Sequence, residues 1–398
     1  MPPSKKPCNV LMLVENGPYI ADVRLKQEIK ALTKAGYQVS VVCQRRKGGP
    51  FHEVIDGVHI YTFPMPNHTG GVWGYLVEFG YGLVIMFILS LIVWLRHGVD
   101  IVHAQNPPDI LFPIGAFFKL FGKKFIFDHR DLSPELYLMR FPEKADSLLY
   151  KLLMLCERNS CRLTDLILAT NTSYRKIVTE RHNISPAKVK VVRNGPDSST
   201  RPVEPDPELR EKASIVIGYV GVMGPQDGVD YLIWALHHLA YDLHQPDFFC
   251  VLIGQGHTVD NLKALARELK LENHVWFTGF IARQKLLSYL STADICIQPD
   301  PSGPLNDVST MTKTMEYMIL GKPVVAFDLP ETRHTGGDTI LYASPNDVKE
   351  MACQIARLMK DANLRSQLGS RGRERIQSGF TWEHSVVNLL NAYKTLKV

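Results

Sequence analysis

Lys313 and Glu316 lie three residues apart in NDVSTMTKTMEYMILGKPVVAF, Asn306 to Phe327. Side chains three apart share one face of a helix. A lysine there can meet phosphate charge, and a glutamate can accept two hydroxyl hydrogen bonds from a ribose. The plain alternative is a helix-surface ion pair worth about 0.3–0.5 kcal/mol. Position favours the ligand. The helix follows ADICIQP, which reads as a strand, so the pair stands at a strand mouth. Ser309 or Thr310 can cap this helix, leaving its free amides pointed at the same ligand.

Three more strand ends in the second half carry glycines: GYVGVMGPQDG (Gly218–Gly228), LIGQGH (Leu252–His257) and FTGF (Phe277–Phe280). Glycines at strand-to-helix turns let backbone amides approach phosphate oxygens. Three such turns in one domain point to a nucleotide site. The dehydrogenase fingerprint is absent: no GxGxxG follows a strand with an acidic residue about 20 positions later.

The elements that must hold these groups alternate along the chain. NVLMLV, DVRLKQEIKALTKAG and QVSVVC form a βαβ unit, with Leu25, Ile29 and Leu32 on the buried helix face and Gly36 at its end. DIVHA, KFIFD, LILAT and VKVV read as further strands. GPDSSTRPVEPDPELREKAS has no apolar periodicity and reads as a linker. Afterwards IVIGYVG, FFCVLIG, HVWFTG, ADICIQP, PVVAF and TILYA alternate with helical patterns. Strands alternating with helices give parallel sheets with both faces covered. The expected fold class is therefore α/β, two doubly wound Rossmann-like domains facing a cleft, with ligands outside the carboxyl ends of the strands. The expected divisions are 1–195, a linker at 196–213, 214–380, and a C-terminal helix at 381–398 packing back toward the first domain.

The chain has 398 residues, long enough for two cores. Its net charge of +5 is uneven: residues 1–200 hold 25 Lys/Arg against 17 Asp/Glu, and residues 201–398 hold 20 against 23. A basic first half suits an anionic partner or a membrane surface. Nucleic acid is not expected, since no Lys/Arg stripe with interleaved aromatics appears. Seven cysteines without metal-ligand spacing suit reduced thiols in the cytoplasm. Val10–Val14 is too short for a signal-peptide core. GLVIMFILSLIVWL, Gly82–Leu95, has 14 residues and falls short of the roughly 20 needed to span a bilayer. It reads either as a fully buried helix or as a segment dipping into one leaflet, which would place the protein peripherally on the inner face of the cell membrane.

The order of these features resembles a retaining glycosyltransferase of the GT-B fold, family 4. The matching segments are NGPD at Asn194–Asp197, GYVGVMGPQDGVDYLIWAL, LIGQGH, FTGF, ADICIQPDP, KTMEYMILGKPVVAFDLPE and FTWEHSVVNLLNAYKTL. In the first half VENGPYIADVRLKQEIKALTKAGYQVSVVC, DIVHAQNPPD and FDHRDLSPELY resemble bacterial members that build surface polysaccharides. The resemblance implies that Glu316 holds the donor ribose. It implies that the Gly221–Gly224 loop with Met223, the Gly254 and Gly256 turn, Asn194, and the amides near Ser309 and Thr310 hold the donor, with Lys313 on the diphosphate. It implies that a histidine in FDHRDL contacts the donor sugar, and His129 is assigned that role. The family's paired acids eight apart are not reproduced, since Val308 stands eight before Glu316. Val222 and Asp227 stand where the family often has Arg and Lys.

Sugar transfer from a nucleotide diphosphate needs the leaving diphosphate stabilised as charge develops. Fixed amides, a helix N-terminus and a lysine suffice for this, so no metal and no cofactor is expected, the nucleotide sugar being a substrate. The acceptor should fall to the basic half, where Asn16, Arg24, Asn106 and Asp131 lie near strand ends. With the apolar 82–95 run, that suggests a glycan or lipid-linked acceptor and a peripheral membrane contact. Two competing readings stay open: a nucleotide-sugar epimerase of the same shape, and a non-catalytic assembly partner.

Overall fold

The computed structural model describes residues 7–65 and 71–397. The chain divides into two compact units, Met1–Arg193 with Ser385–Val398, and Asn194–His384.

In chain order the first unit contains β1 (Asn9–Val14), α1 (Val23–Lys34), β2 (Gln38–Gln44), β3 (His52–Ile55), β4 (Val58–Phe63), α2 (Gly71–His97), β5 (Ile101–Gln105), α3 (Phe112–Lys119), β6 (Lys124–His129), α4 (Ser133–Arg140), α5 (Leu148–Leu163), β7 (Leu166–Ala169), α6 (Thr172–His182) and β8 (Val189–Val191). Its sheet runs β3-β4-β2-β1-β5-β6-β7-β8. Every pair is parallel except β3–β4. Asp56 and Gly57 join that antiparallel pair with φ of 50° and 80°, the left-handed turn that suits a tight hairpin. β1 is central, and its apolar residues are buried on both faces. α1 begins where Asp22 Oδ1 accepts from the Leu25 amide at 2.8 Å.

Side-chain alternation sorts the first sheet into two faces. On one face His103 and Gln105 of β5 and Asp128 of β6 meet α1 and the last helix. On the other, Phe125 closes against α3, where a Cβ on Gly115 would run into the Phe125 ring.

The apolar helix differs from its expected form. α2 has 27 residues, and its apolar stretch, Val77–His97, is 21 residues long. That is long enough by composition to cross a membrane. The helix starts at Gly71, well before Gly82, and runs through Gly74, Gly80 and Gly82. The buried-helix reading is corrected too: only 28% of the apolar window is buried, and Val77, Val84, Ile88 and Leu95 are exposed.

The second unit contains α7 (Pro207–Arg210), β9 (Ile215–Val220), α8 (Val229–His237), β10 (Phe248–Ile253), α9 (Val259–Glu268), β11 (Val275–Gly279), α10 (Arg283–Thr292), β12 (Ile295–Gln298), α11 (Thr312–Ile319), β13 (Val324–Phe327), α12 (Pro330–Gly336), β14 (Leu341–Ala343), α13 (Val348–Lys360) and α14 (Ala362–Gly379). The sheet order is β11-β10-β9-β12-β13-β14, all parallel. Ile215, Ile217 and Tyr219 pack one face against α8, α9 and α13. Val216, Cys296 and Val324 pack the other against α10 and α11. The order reverses between β9 and β12, so the loops after these two strands part and leave a crevice at their carboxyl ends. The chain enters and leaves this unit side by side: a Cβ on Gly195 would overlap the Phe380 carbonyl, and the Trp382 amide donates to Pro196 O at 2.9 Å.

α15 (Trp382–Lys394) ends the chain. From Ser385 it belongs to the first unit, where Tyr393 is buried, bonds His103 Nδ1 at 2.7 Å and meets Tyr37 edge-on at 5.4 Å.

Candidate functional site

The crevice of the second unit is built by the β9 and β12 loops with α11. Gly228, at φ 63°, abuts the Pro299 carbonyl and joins the two loops. Lys313 in the first turn of α11 reaches both. Its Nζ lies 2.8 Å from Asp300 Oδ1 and 3.5 Å from Asp227 Oδ1, and 5.0 Å from the centre of the Tyr219 ring. Burial works against its charge, but Asp300, Tyr219 and Asp227 outweigh burial and raise its pKa. Burial likewise raises the Asp227 carboxyl, opposed by Lys313. The lysine expected to meet phosphate is thus matched in this structure by two carboxylates.

Glu316 stands one turn further along. Within Lys313–Leu320 it is the one residue not buried. The reason is helix geometry: the neighbours on either side pack on the sheet and on α14, while position 316 looks outward. Its Oε1 accepts from Arg283 Nη1 at 2.9 Å, and Arg283 is largely exposed. Sequence reasoning missed Arg283, whose position on α10 only the fold brings to Glu316.

The glycine turns serve a different end from the one expected. Gly221 donates its amide to Ile253 O at 3.0 Å, Met223 to Gln255 O at 3.2 Å, and Gly224 to Asp227 Oδ2 at 3.0 Å. These amides are engaged inside the protein rather than turned toward a diphosphate. Gly254, at φ 136°, and Gly256 admit the carbonyls of Gly221 and Met223, so the β9 and β10 loops lie backbone to backbone.

The helix cap is also corrected. The N-cap of α11 is Met311, with no side-chain cap. Ser309 Oγ donates to Leu305 O at 2.7 Å and Thr310 Oγ1 to Glu331 Oε2 at 3.1 Å. Asn194 is half-buried at the start of the second unit.

In the first unit, the order reverses between β1 and β5. His129, expected to contact a sugar, is fully buried. It shares the β6 face of Phe125 and Phe127, so alternation turns it under α5 and α6. Its Nε2 lies 3.1 Å from Glu157 Oε1, and Glu157 also bonds His182 at 2.8 Å and Arg181 at 3.0 Å. Burial opposes its charge, yet the Glu157 bond raises its pKa. The next residue, Arg130, reaches the strand mouth instead: its Nη1 donates to Asp22 at 2.7 Å and to Gln105 at 2.8 Å.

Two of the four acceptor-side residues are internal supports. Arg24 is buried, bonds both Asp128 oxygens at 2.9 and 3.0 Å, and donates to Val192 O at 2.9 Å. Asn106 is buried and ties Asp109, Asp131 O and the amides of Arg130 and Asp131. Asn16 and Asp131 are exposed. Beneath them Glu28, His103 and Asp128 have ligand atoms within 4.8 Å of one another, and the Arg24 guanidinium already supplies their positive charge.

Comparison with known proteins gives the site its context. Residues 21–200 match the model described as Glycosyltransferase Family 4, and residues 201–375 match that of Glycosyl transferases group 1. Alpha-maltose-1-phosphate synthase of Mycolicibacterium smegmatis is 26% identical over 278 residues, 64% of this chain and 69% of that protein. The chain spans about half the length of several other curated relatives it matches. Sucrose-phosphate synthase from Thermosynechococcus elongatus superposes with a TM-score of 0.77 at 19% identity, covering 98% of this chain and 99% of that one. Anabaena HepE in complex with UDP and glucose gives 0.67 at 18% identity, covering 98% and 99%. These likenesses share the doubly wound fold of both units. With the two family models joining end to end from residue 21 to residue 375, the chain belongs to the family 4, group 1 glycosyltransferases and has the GT-B fold.

Proposed function

We propose that the protein transfers a sugar from a UDP-sugar to a glycan or lipid-linked acceptor, with retention and without a metal. The observation that carries this reading is Glu316, an accessible carboxylate at the mouth of β12 with buried helix residues on either side of it. Its pair with exposed Arg283 is cheap to exchange, since such pairs are worth about 0.2–1 kcal/mol. Two ribose hydroxyls donating to a carboxylate return about 1.5–3 kcal/mol each. Arg283, once displaced, is a cation beside the nucleotide and answers the missing Arg and Lys of the β9 loop.

Lys313, held charged by Asp300, lies at the start of α11, where helix amides favour negative charge. Asp227, the more distant of its two carboxylates, is the group a phosphate oxygen would replace. Asn16, Arg130 and Asp131 at the strand mouths of the first unit would meet the acceptor, and exposed residues of α2 would rest on the membrane. HepE in complex with UDP and glucose supports the choice of base.

Calorimetric titration with UDP, GDP and uridine tests the reading. UDP should bind best and uridine at least tenfold more weakly. Proton NMR of the transferred sugar should show the donor's anomeric configuration. Absence of nucleotide binding would overturn the proposal.

A further inference from the structure

The layer of α2, α3 and α5 leaves an apolar surface uncovered. Phe117 of α3 meets Phe87 of α2 at 4.9 Å, and Trp94 of α2 meets Phe121 at 4.9 Å. Lys119 at the end of α3 donates to Leu163 O at the end of α5 at 2.8 Å. The three helices therefore lie side by side, and their sides away from the sheet form one face. Leu95 is 85% exposed, Leu120 83% and Leu148 84%, and Val84, Ile88, Phe121, Leu152 and Leu155 are exposed along the same three helices and their ends. Soluble surfaces rarely gather this many large apolar side chains.

Charge says what covers the face. Between Ser147 and Leu163 the exposed charged residues are Lys151, Arg158 and Arg162, while the one acid of α5, Glu157, is buried. Leu148, Leu152 and Leu155 follow helical spacing on the same exposed side. Arg96 is exposed at the end of α2, and no charged residue occurs from Phe79 to Leu95. The acids nearest in sequence are Glu143 and Asp146, exposed on the turn before α5, and Asp165 just after it, which pairs with Lys119 at 2.9 Å. Within α5 itself, leucines with cations and no exposed acid are the pattern of a helix lying in an anionic lipid interface.

We propose that α5, together with α2 and the end of α3, docks this unit on an anionic bilayer surface, α5 supplying the lipid-charge recognition. α5 runs antiparallel to the strands, so Leu148 sits toward the edge where Asn16, Arg130 and Asp131 open. The docked unit would hold its acceptor edge at the headgroups. The proposal rests on the lipid-linked acceptor reading but is read without donor or acceptor, so the two fail separately.

The test is co-sedimentation of the full chain with phosphatidylcholine vesicles, with and without one-third phosphatidylglycerol. The wild type should partition onto the anionic vesicles and release as salt rises. Lys151→Gln/Arg158→Gln/Arg162→Gln should lose about a hundredfold in partition coefficient toward the anionic vesicles, at roughly fivefold per cation. Leu148→Ser/Leu152→Ser/Leu155→Ser should lose binding to both vesicle types. UDP affinity and the far-UV spectrum of each variant should match the wild type. Equal binding to both vesicle types, or binding unchanged in the glutamine variant, overturns the proposal. So does a concentration-dependent dimer that the serine variant dissolves without any vesicle binding by the wild type, since a second copy then covers the face. A serine variant that fails to fold leaves the glutamine variant, whose substitutions are exposed, to decide.

Discussion

A Cβ placed on Gly254 would overlap the carbonyl oxygen of Gly221. The β9 and β10 loops can therefore meet backbone to backbone only while position 254 lacks a side chain. Its φ of 136° adds a conformation that L side chains rarely adopt. Gly254→Ala should lower stability by about 1–3 kcal/mol in urea denaturation and weaken UDP binding, because the Gly221 loop must move. A variant as stable as the wild type would show that the loop contact is dispensable.

Lys313 separates structural from ligand roles. Removing one partner of a buried pair leaves the other charge uncompensated, at about 3–5 kcal/mol. Lys313→Met should show a loss of that size, with Asp300 left buried at 2% exposure. A loss below about 1 kcal/mol would mean that Lys313 behaves as a surface residue.

Glu316→Gln should behave in the opposite way. Its pair with Arg283 is largely open to solvent, so stability should change by less than about 1 kcal/mol. UDP affinity should fall about tenfold, equivalent to about 1.4 kcal/mol, and uridine affinity should fall in parallel because both carry the ribose. An unchanged Kd for both would remove Glu316 from the site.

Glu15, at the end of β1, has a pKa raised from 4.5 to about 7 by burial and then by Glu78. Between those two values the folded chain keeps a proton that the unfolded chain releases, so this group's contribution to stability falls as pH rises through the window. Glu15→Gln removes the effect. The stability of the variant relative to wild type should therefore grow from pH 5 to pH 8, by about 2–3 kcal/mol. A difference independent of pH would mean that Glu15 titrates normally.

Tyr393→Phe tests the docking of α15 on the first unit. Burial lowers the His103 pKa to about 4, with Asp128 opposing, so the ring is neutral at pH 7 and its Nδ1 relies on the Tyr393 hydroxyl. Losing that bond in the core should cost about 1–2 kcal/mol by thermal or urea unfolding.

Much of this architecture was legible in short segments. NVLMLV, KFIFD and PVVAF each hold an unbroken apolar run, as central parallel strands do, and all three fall in buried strands. The Lys313–Glu316 spacing placed both residues on one helix. The β3–β4 hairpin went unread although Asp56–Gly57 is a hairpin signal, because His52–Ile55 alternates too weakly to stand out. α2 is longer than the Gly82–Leu95 stretch because apolarity marks only the middle of a helix that starts at Gly71 and ends at His97.

Composition and local period alone determined the two doubly wound halves, the strand mouths as the place for chemistry, and a ribose-gripping candidate at Glu316. Only the tertiary structure decided which charges are spent. Arg24, Asn106, His129 and Lys313 look available in the sequence, yet each is closed by partners far along the chain: Asp128, Asp131, Glu157 and Asp300. A side chain's freedom depends on what the fold brings within about 3 Å of it, and no local pattern records that distance.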